Sequence, residues 1–496
     1  MSTWYVRPSG GSYGTEDGTS YDNAWDGNAG ITWGVGGVVA GDTLYICGTH
    51  VERLQIGDDG TATNRIVVRG DYPADPGIID GEGEAITQGL WTNGADYIDI
   101  KNLTVRNISS GGAGSGIDIA TSVGVRVQNI TGTGCYFEAI EVVDSADTVI
   151  EDCTLTGNLV RAIVAYSATG QITNTIIRRN TITGNGRWGI SLDSNNAATS
   201  TQFNATGFEI YENVISNNGG GFALEDHGSC TVRDNIIGDN LLTGVDPGAV
   251  ESGIGINFAG CNDTYVVNNT INTSKATTRV MQVTVSATPC TRIRILGNTI
   301  EGGVSFIEAL TAGSVVDGIV AGNRVLRTYG MYSVDNEWKV HNNTFAYGRY
   351  FSRFHIDIMN NLEIKNNVFY QESGQDTNYG GWQITGTLLL ITGGTEVLSA
   401  NNYKSTFGNI VAITGDTNYS VAGLISSAID VLALGVDPEL NSDGDVTADS
   451  LVSSGVNTNT PVSVDITGEP FPSFDVCRGA LQPTDATNNP FHPLNL

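Results

Sequence analysis

Short runs of alternating apolar and polar residues recur along the chain. Examples are Tyr97-Ile98-Asp99-Ile100, Gly116-Ile117-Asp118-Ile119, Gly189-Ile190-Ser191-Leu192, Phe208-Glu209-Ile210 and Thr231-Val232-Arg233. A period of two residues sends alternate side chains to opposite faces of an extended strand. Many of these runs lead into a turn that begins with Asn and returns quickly to Ile, Val or Phe. Such turns start at Asn102, Asn129, Asn180, Asn213, Asn235, Asn269, Asn298, Asn323, Asn343 and Asn367, with Asp152 in one gap, and successive copies lie 20 to 34 residues apart.

Two or three short strands per repeat predict one coil of a parallel β-helix. A single coil cannot bury its own Ile, Val and Leu, so coils must stack. Asn suits the bend because it tolerates the left-handed backbone region. Equivalent Asn side chains on successive coils can also form an amide ladder. The predicted fold is all-β, a single-stranded right-handed parallel β-helix with caps at both ends. An antiparallel sandwich also contains many short strands, but it does not require one turn sequence to recur.

The pattern divides the chain into an N-terminal capping region (1–90), the regular helix (91–430) and a C-terminal cap or tail (431–496). Short helices are predicted near residues 22–29 and over Ala422 to Leu434. The period stretches at Asn195 to Gly207, Gly238 to Ser252 and Asn269 to Thr278. Loops inserted on a regular scaffold are common places for binding groups.

Aligning the strands gives two inward columns. One contains Ile117, Ile140, Ile163, Ile190, Phe222 and Ile254; the next contains Ile119, Val142, Ala165, Leu192, Leu224 and Ile256. The outward columns are then Asp118, Glu141, Val164, Ser191, Ala223, Gly255 and Ala120, Val143, Tyr166, Asp193, Glu225, Asn257. Adjacent parallel strands lie about 4.8 Å apart. Asp193 and Glu225 are therefore the expected catalytic carboxylates, with Asp226 and His227 at the following turn. Tyr166, Arg161, Arg187, Trp188 and Asn257 are the expected substrate-binding residues. Asp118 and Glu141 form a second candidate pair. Close carboxylates push their pKa values apart, which leaves one as an acid and one charged.

Charge narrows the partners. The net charge is −29, from 53 acidic and 24 basic residues. This disfavours nucleic acid, whose binding needs concentrated positive charge. It also disfavours simple attraction of polyanionic sugars, unless a bound cation or a local Arg patch reverses it. No apolar run is long enough for a membrane-spanning helix, and Met1-Ser2-Thr3-Trp4-Tyr5-Val6-Arg7 does not read as a signal peptide. The seven Cys are scattered and odd in number, so buried thiols are expected rather than a disulfide framework. No zinc, nucleotide-loop or zinc-protease motif occurs.

The stretch Trp4-Tyr5-Val6, a Gly- and Asp-rich segment with Ala24-Trp25, and Gly41-Asp42-Thr43-Leu44-Tyr45-Ile46 resembles the opening of polysaccharide-active parallel β-helix proteins. Val436-Asp437-Pro438-Glu439-Leu440 and Asp475-Val476-Cys477-Arg478-Gly479-Ala480 resemble the way many of them end. These proteins include glycoside hydrolases, polysaccharide lyases and phage tailspike depolymerases. The resemblance implies a polysaccharide substrate, a monomer or homotrimer, and an extracellular or virion-associated location. Carboxylate chemistry points to a glycoside hydrolase that needs no cofactor. The alternatives are a lyase assisted by Ca2+ and a non-catalytic glycan-binding spike. Lyases of this kind often use a Lys–Arg pair, yet no Lys occurs between Lys101 and Lys275.

Overall fold

The structure is a computed structural model. It describes residues 1–82, 86–109, 114–194, 205–240, 253–273, 279–284, 288–303, 305–309, 311–326, 328–334, 337–346, 354–365, 367–370, 378–379, 382–383, 387–399, 402–404 and 409–413. The expected helix at Ala422 to Leu434, the C-terminal cap and most of the three long insertions lie outside these residues. The chain divides into two compact units. The first is Met1–Thr231 with Asn240–Gly253, and the second is Val232–Asp239 with Ile254–Leu496.

In the first unit a coil consists of a longer strand, a bend and two short strands. One coil contains Ser115–Ala120, Arg126–Gln128 and Thr131–Thr133, and the next contains Glu138–Val143, Val149–Glu151 and Thr154–Thr156. Equivalent strands pair in parallel from coil to coil. This is the parallel β-helix predicted from the alternation. The stack already includes Thr3–Arg7, which pairs in parallel with Thr43–Ile46. Near residues 22–29 there is a strand, Trp25–Asp26, followed by a single 3-10 turn, Asn28–Gly30, instead of a helix.

The inward columns follow the predicted register. Ile117, Ile140, Ile163, Ile190 and Phe222 are consecutive partners, as are Ile119, Val142, Ala165, Leu192 and Leu224. All ten side chains are buried. Complete burial of each large aliphatic is worth about 1.5–3 kcal/mol, so the stacked columns supply the main drive for coil-on-coil assembly.

The Asn turns resolve into two structural classes. Asn102 and Asn129 adopt positive φ, both 54°, and occupy the left-handed corner between two strands. Asp152 and Arg179 hold the same corner, at φ 58° and 54°. Asn180 stands one residue later and points inward. Its Oδ1 accepts from the Cys153 backbone N–H, and its Nδ2 donates to Asn213 Oδ1 at 2.9 Å. A further inward ladder, at the turn after the third strand, links Asn158, Asn185, Asn218 and Asn240. The Asn pattern in the sequence does not separate the first two classes, and the additional ladder falls outside it.

The second unit repeats the inward arrangement. Asn235, Asn269, Asn298, Asn323, Asn343 and Asn367 form a continuous amide ladder with side-chain bonds of 2.9–3.0 Å. Ile256, Met281, Ile307 and Met331 hold one register column, while Asn257, Gln282, Glu308 and Tyr332 hold the neighbouring one. The six described cysteines are buried, with Cys261 Sγ lying 3.3 Å from Cys290 Sγ.

Candidate functional site

A group of interacting carboxyls in the first unit lies on the outer face of the longer strands. Register places Trp91, Asp118, Glu141 and Val164 side by side on successive coils. Glu138 stands opposite Arg161 on the next coil. The strict alternation slips at this edge. A side chain on Gly116 would meet Cys135 Sγ at 3.1 Å, and one on Gly189 would meet Ile215 Cγ2 at 2.8 Å, so these small residues face inward. Ala139 and Ala162 are equally buried. Two consecutive inward positions therefore turn Glu138 and Arg161 back towards the outer face.

The carboxyls are knitted together by polar neighbours. Arg161 Nη1 donates to Glu138 Oε1 at 2.8 Å. Ser115 Oγ lies 3.4 Å from Glu138 Oε2 and also donates to Glu141 Oε2. Tyr166 Oη donates to Glu141 Oε1 at 2.9 Å. Glu141 thus receives two hydroxyl donors, an arrangement suited to a carboxylate.

Asp118 has a different environment. It is 8 % exposed, and its Oδ1 is buried without a hydrogen-bond partner. Burial, reinforced by the charge of Glu141, pushes its pKa up to about 7, against smaller opposing effects of Gln88 and Arg53. Glu138 is also pushed up to about 7, because burial outweighs the nearby Arg161 guanidinium. Burial and then Glu141 raise the Tyr166 phenol far above its usual range, so it stays a donor.

These shifts tie stability to pH. Asp118 and Glu138 bind protons more tightly when folded than in the unfolded chain, where carboxyls titrate near pH 4. Their contribution is fully present below about pH 4 and is lost as pH rises through about 7. The loss is on the order of a few kcal/mol for the pair. The Tm gain of Asp118→Asn over wild type should therefore grow between about pH 5 and pH 8, a difference in which the opposite contributions of His50 and His227, both driven down to about 4 by burial, cancel. A constant difference over that window would contradict the protonated carboxyl.

The other expected residues lie on the following coils and turns. Asp193 is half-buried at the end of Trp188–Ser194, with Tyr166 as its register partner. Glu225 is half-buried and closes Gly220–Glu225, whose pairing with the preceding coil runs through Leu192 and Leu224. Asp226 sits at the turn with φ 46°. The expectation for His227 is corrected. Its side chain is fully buried, with Nδ1 2.9 Å from the Gly228 carbonyl oxygen and the ring edge-on to Phe208. Burial drives its pKa down to about 4, so it does not face the outer columns as an acid or base.

Trp188 is also corrected as a sugar-stacking residue. It is 3 % exposed, and a Cβ on Gly220 would lie 2.2 Å from its ring. Its face is used for coil packing. Arg187 is half-buried beside it. Asn257 belongs to the second unit, is buried, and has Gln282 as its register partner. The structure therefore brings together Asp118, Glu141, Arg161 and Tyr166 from the expected set. It adds Glu138, Ser115, Gln88 and Trp91. The available sequence signal was Glu138 three residues before Glu141 on a strand opening with small residues, a pattern that strict alternation hides.

The fold and site define a parallel β-helix bearing a cluster of partly buried carboxyls on its outer face. The sequence model of the family described as "Periplasmic copper-binding protein (NosD)" matches residues 75–303. No curated protein sequence matches the chain. Among solved structures, the surface protein and adhesin PfbA of Streptococcus pneumoniae is similar with a TM-score of 0.48 and 13 % identity, over 69 % of this chain and 91 % of that one. A GH136 lacto-N-biosidase from Eubacterium ramulus gives 0.47 and 13 %, over 73 % and 67 %. An alginate lyase from Paenibacillus gives 0.41 and 14 %, over 58 % and 93 %.

A copper centre does not fit the described residues. They contain no group of three or more His, Cys, Asp or Glu placed to hold a metal. The soft donors that copper favours are cysteines within the stack, where burial pushes Cys135 and Cys153 up to about 12. No helix among the described residues is long and apolar enough to cross a membrane.

Proposed function

We propose that this protein is a glycoside hydrolase acting on a polysaccharide at the Asp118–Glu141 face. The observation carrying this reading is a buried carboxyl with an unpartnered Oδ1, directly in register with a second carboxyl that receives two hydroxyl hydrogen bonds; burial pushes the pKa of the first up to about 7. Asp118 is the general acid. It gives its proton to the glycosidic oxygen as the bond to the anomeric carbon breaks. Glu141 attacks that carbon from the other side. Water then displaces Glu141 and returns its proton to Asp118, which restores both groups. Coil spacing of about 4.8 Å is close to the short carboxyl separation of retaining enzymes, roughly 5–5.5 Å.

Glu138 and Arg161 are positioning residues around this pair. Asp193, further along the face, is a substrate-binding residue in this reading. The chemistry routes no step through Ca2+, and activity should survive a chelator. An extracellular or virion-associated setting suits a polysaccharide substrate.

Tyr166→Phe removes one hydrogen bond to Glu141 while keeping the ring. A hydrogen bond to a charged group is worth about 1.5–3 kcal/mol, so kcat should fall roughly 10- to 100-fold. Steady-state kinetics checks this, with a retained cooperative melt as the folding control.

The deciding experiment is incubation with a panel of neutral and acidic polysaccharides. New reducing ends without an unsaturated sugar product support hydrolysis. Ultraviolet absorbance from an unsaturated product identifies a lyase and overturns the proposal. Glycan binding without cleavage of any polymer identifies a binding spike and overturns it equally.

A further inference from the structure

Arg53 differs from most of the other arginines of the first unit. Arg65, Arg69, Arg106, Arg161 and Arg178 each lie on a carboxylate. Among the described residues, Arg53 has no carboxylate within ion-pair distance. It is nevertheless held in place. Its Nη1 donates to Gln88 Oε1 at 3.1 Å and its Nη2 to Gln55 Oε1 at 3.3 Å, while the guanidinium carbon stands 4.8 Å from the centre of the Trp91 ring. Gln88 is further fixed by a 2.7 Å hydrogen bond from Thr87 Oγ1.

The position of this group matters more than its charge alone. Gln55, Trp91 and Asp118 are consecutive register partners, so Arg53 and Trp91 stand on the coil side adjoining the proposed acid. One coil advances about 4.8 Å, comparable to the length of one pyranose in a glycan chain. Arg53 is exposed and Trp91 half-exposed, so both are open to a ligand. The two glutamines are neutral acceptors. They orient the guanidinium without cancelling its charge.

We propose that Arg53, Trp91 and Gln88 form a sugar subsite that recognises an anionic substituent, a carboxylate or a sulfate, on the residue next to the bond cleaved at Asp118. The guanidinium pairs with the anion, and the indole edge covers the sugar ring. This deepens the hydrolase reading and rests on it for the place of the cleaved bond. It also supplies a local Arg patch through which a chain of net charge −29 can bind an acidic glycan.

Electrophoresis through gels containing a polymer reads binding without turnover. Polygalacturonate, alginate and hyaluronate carry carboxylates, dextran sulfate carries sulfates, and dextran is neutral. Wild-type protein should be retarded by a carboxylated or sulfated polymer and not by dextran; which anionic arm responds identifies the substituent. Arg53→Gln and Trp91→Ala should each weaken that retardation by about ten-fold or more. Arg126→Gln, at an exposed arginine on a different strand, should leave it unchanged. Matching Tm values confirm folding.

Unchanged retardation of Arg53→Gln, equal retardation by dextran, or no retardation by any polymer overturns the subsite. The hydrolase reading has a separate outcome. Cleavage of a glycan with identical kinetics in wild type and Arg53→Gln keeps the hydrolase and removes the subsite. Arg53-dependent retardation without cleavage keeps anionic recognition and removes the hydrolase.

Discussion

Asp118→Asn should lower turnover of a cleaved polysaccharide by about 10²–10⁴-fold. The amide preserves shape and most packing but has no acidic proton for the leaving oxygen. An aryl glycoside with a good leaving group needs less protonation, so its turnover should fall much less. The same substitution should stabilise the fold above pH 7. Wild-type Asp118 must either ionise in a buried setting or retain a proton against the solvent, because burial and Glu141 have pushed its pKa up to about 7. Asn carries no such penalty. Loss of rate together with a higher Tm at alkaline pH is the signature of a strained catalytic group. Full activity in this variant would move the acid elsewhere on the face.

The second large effect concerns the fold. Asn185→Ala should destabilise the first unit by about 3–5 kcal/mol, at about 1–3 kcal/mol for each buried polar group left unsatisfied. Asn185 Oδ1 accepts from both the backbone N–H and Nδ2 of Asn158, at 3.1 and 2.8 Å. Its Nδ2 donates to Asn218 Oδ1 at 2.8 Å and to the carbonyl oxygen of Leu155 at 3.2 Å. Alanine leaves all these groups buried beside a small void.

Asn129→Gly provides the contrast. That residue is exposed at φ 54°, a conformation glycine adopts readily, and its side chain makes an exposed bond to Asn102. Its cost should stay within about 1 kcal/mol. Denaturant titrations measure both variants. Equal losses would contradict the division of the Asn turns into corners and ladders.

That division shows how far the alternation reached. The positions of Ile117, Ile140 and Ile163 were legible because solvent exclusion imposes the same two-residue period on every coil. The difference between Asn129 and Asn180 was not. One residue of offset converts an exposed left-handed corner into an inward amide, and both sequences begin with Asn. Likewise, Trp188 and His227 have side chains suited to sugar chemistry, but close stacking of adjacent coils buries them.

The candidate site divides along similar lines. Asp118 beside Glu141 followed from counting, since parallel register carries one outward position to the next. Glu138 did not, because the small inward residues Gly116 and Ala139 shift the alternation at the strand edge. Nor could the sequence tell that Asp118 is buried. The local chain supplied strands, turns and register through periodic apolar burial. Tertiary structure alone set the depth of each carboxyl and its facing partners, because those come from coils many residues away and control the free energy of ionisation.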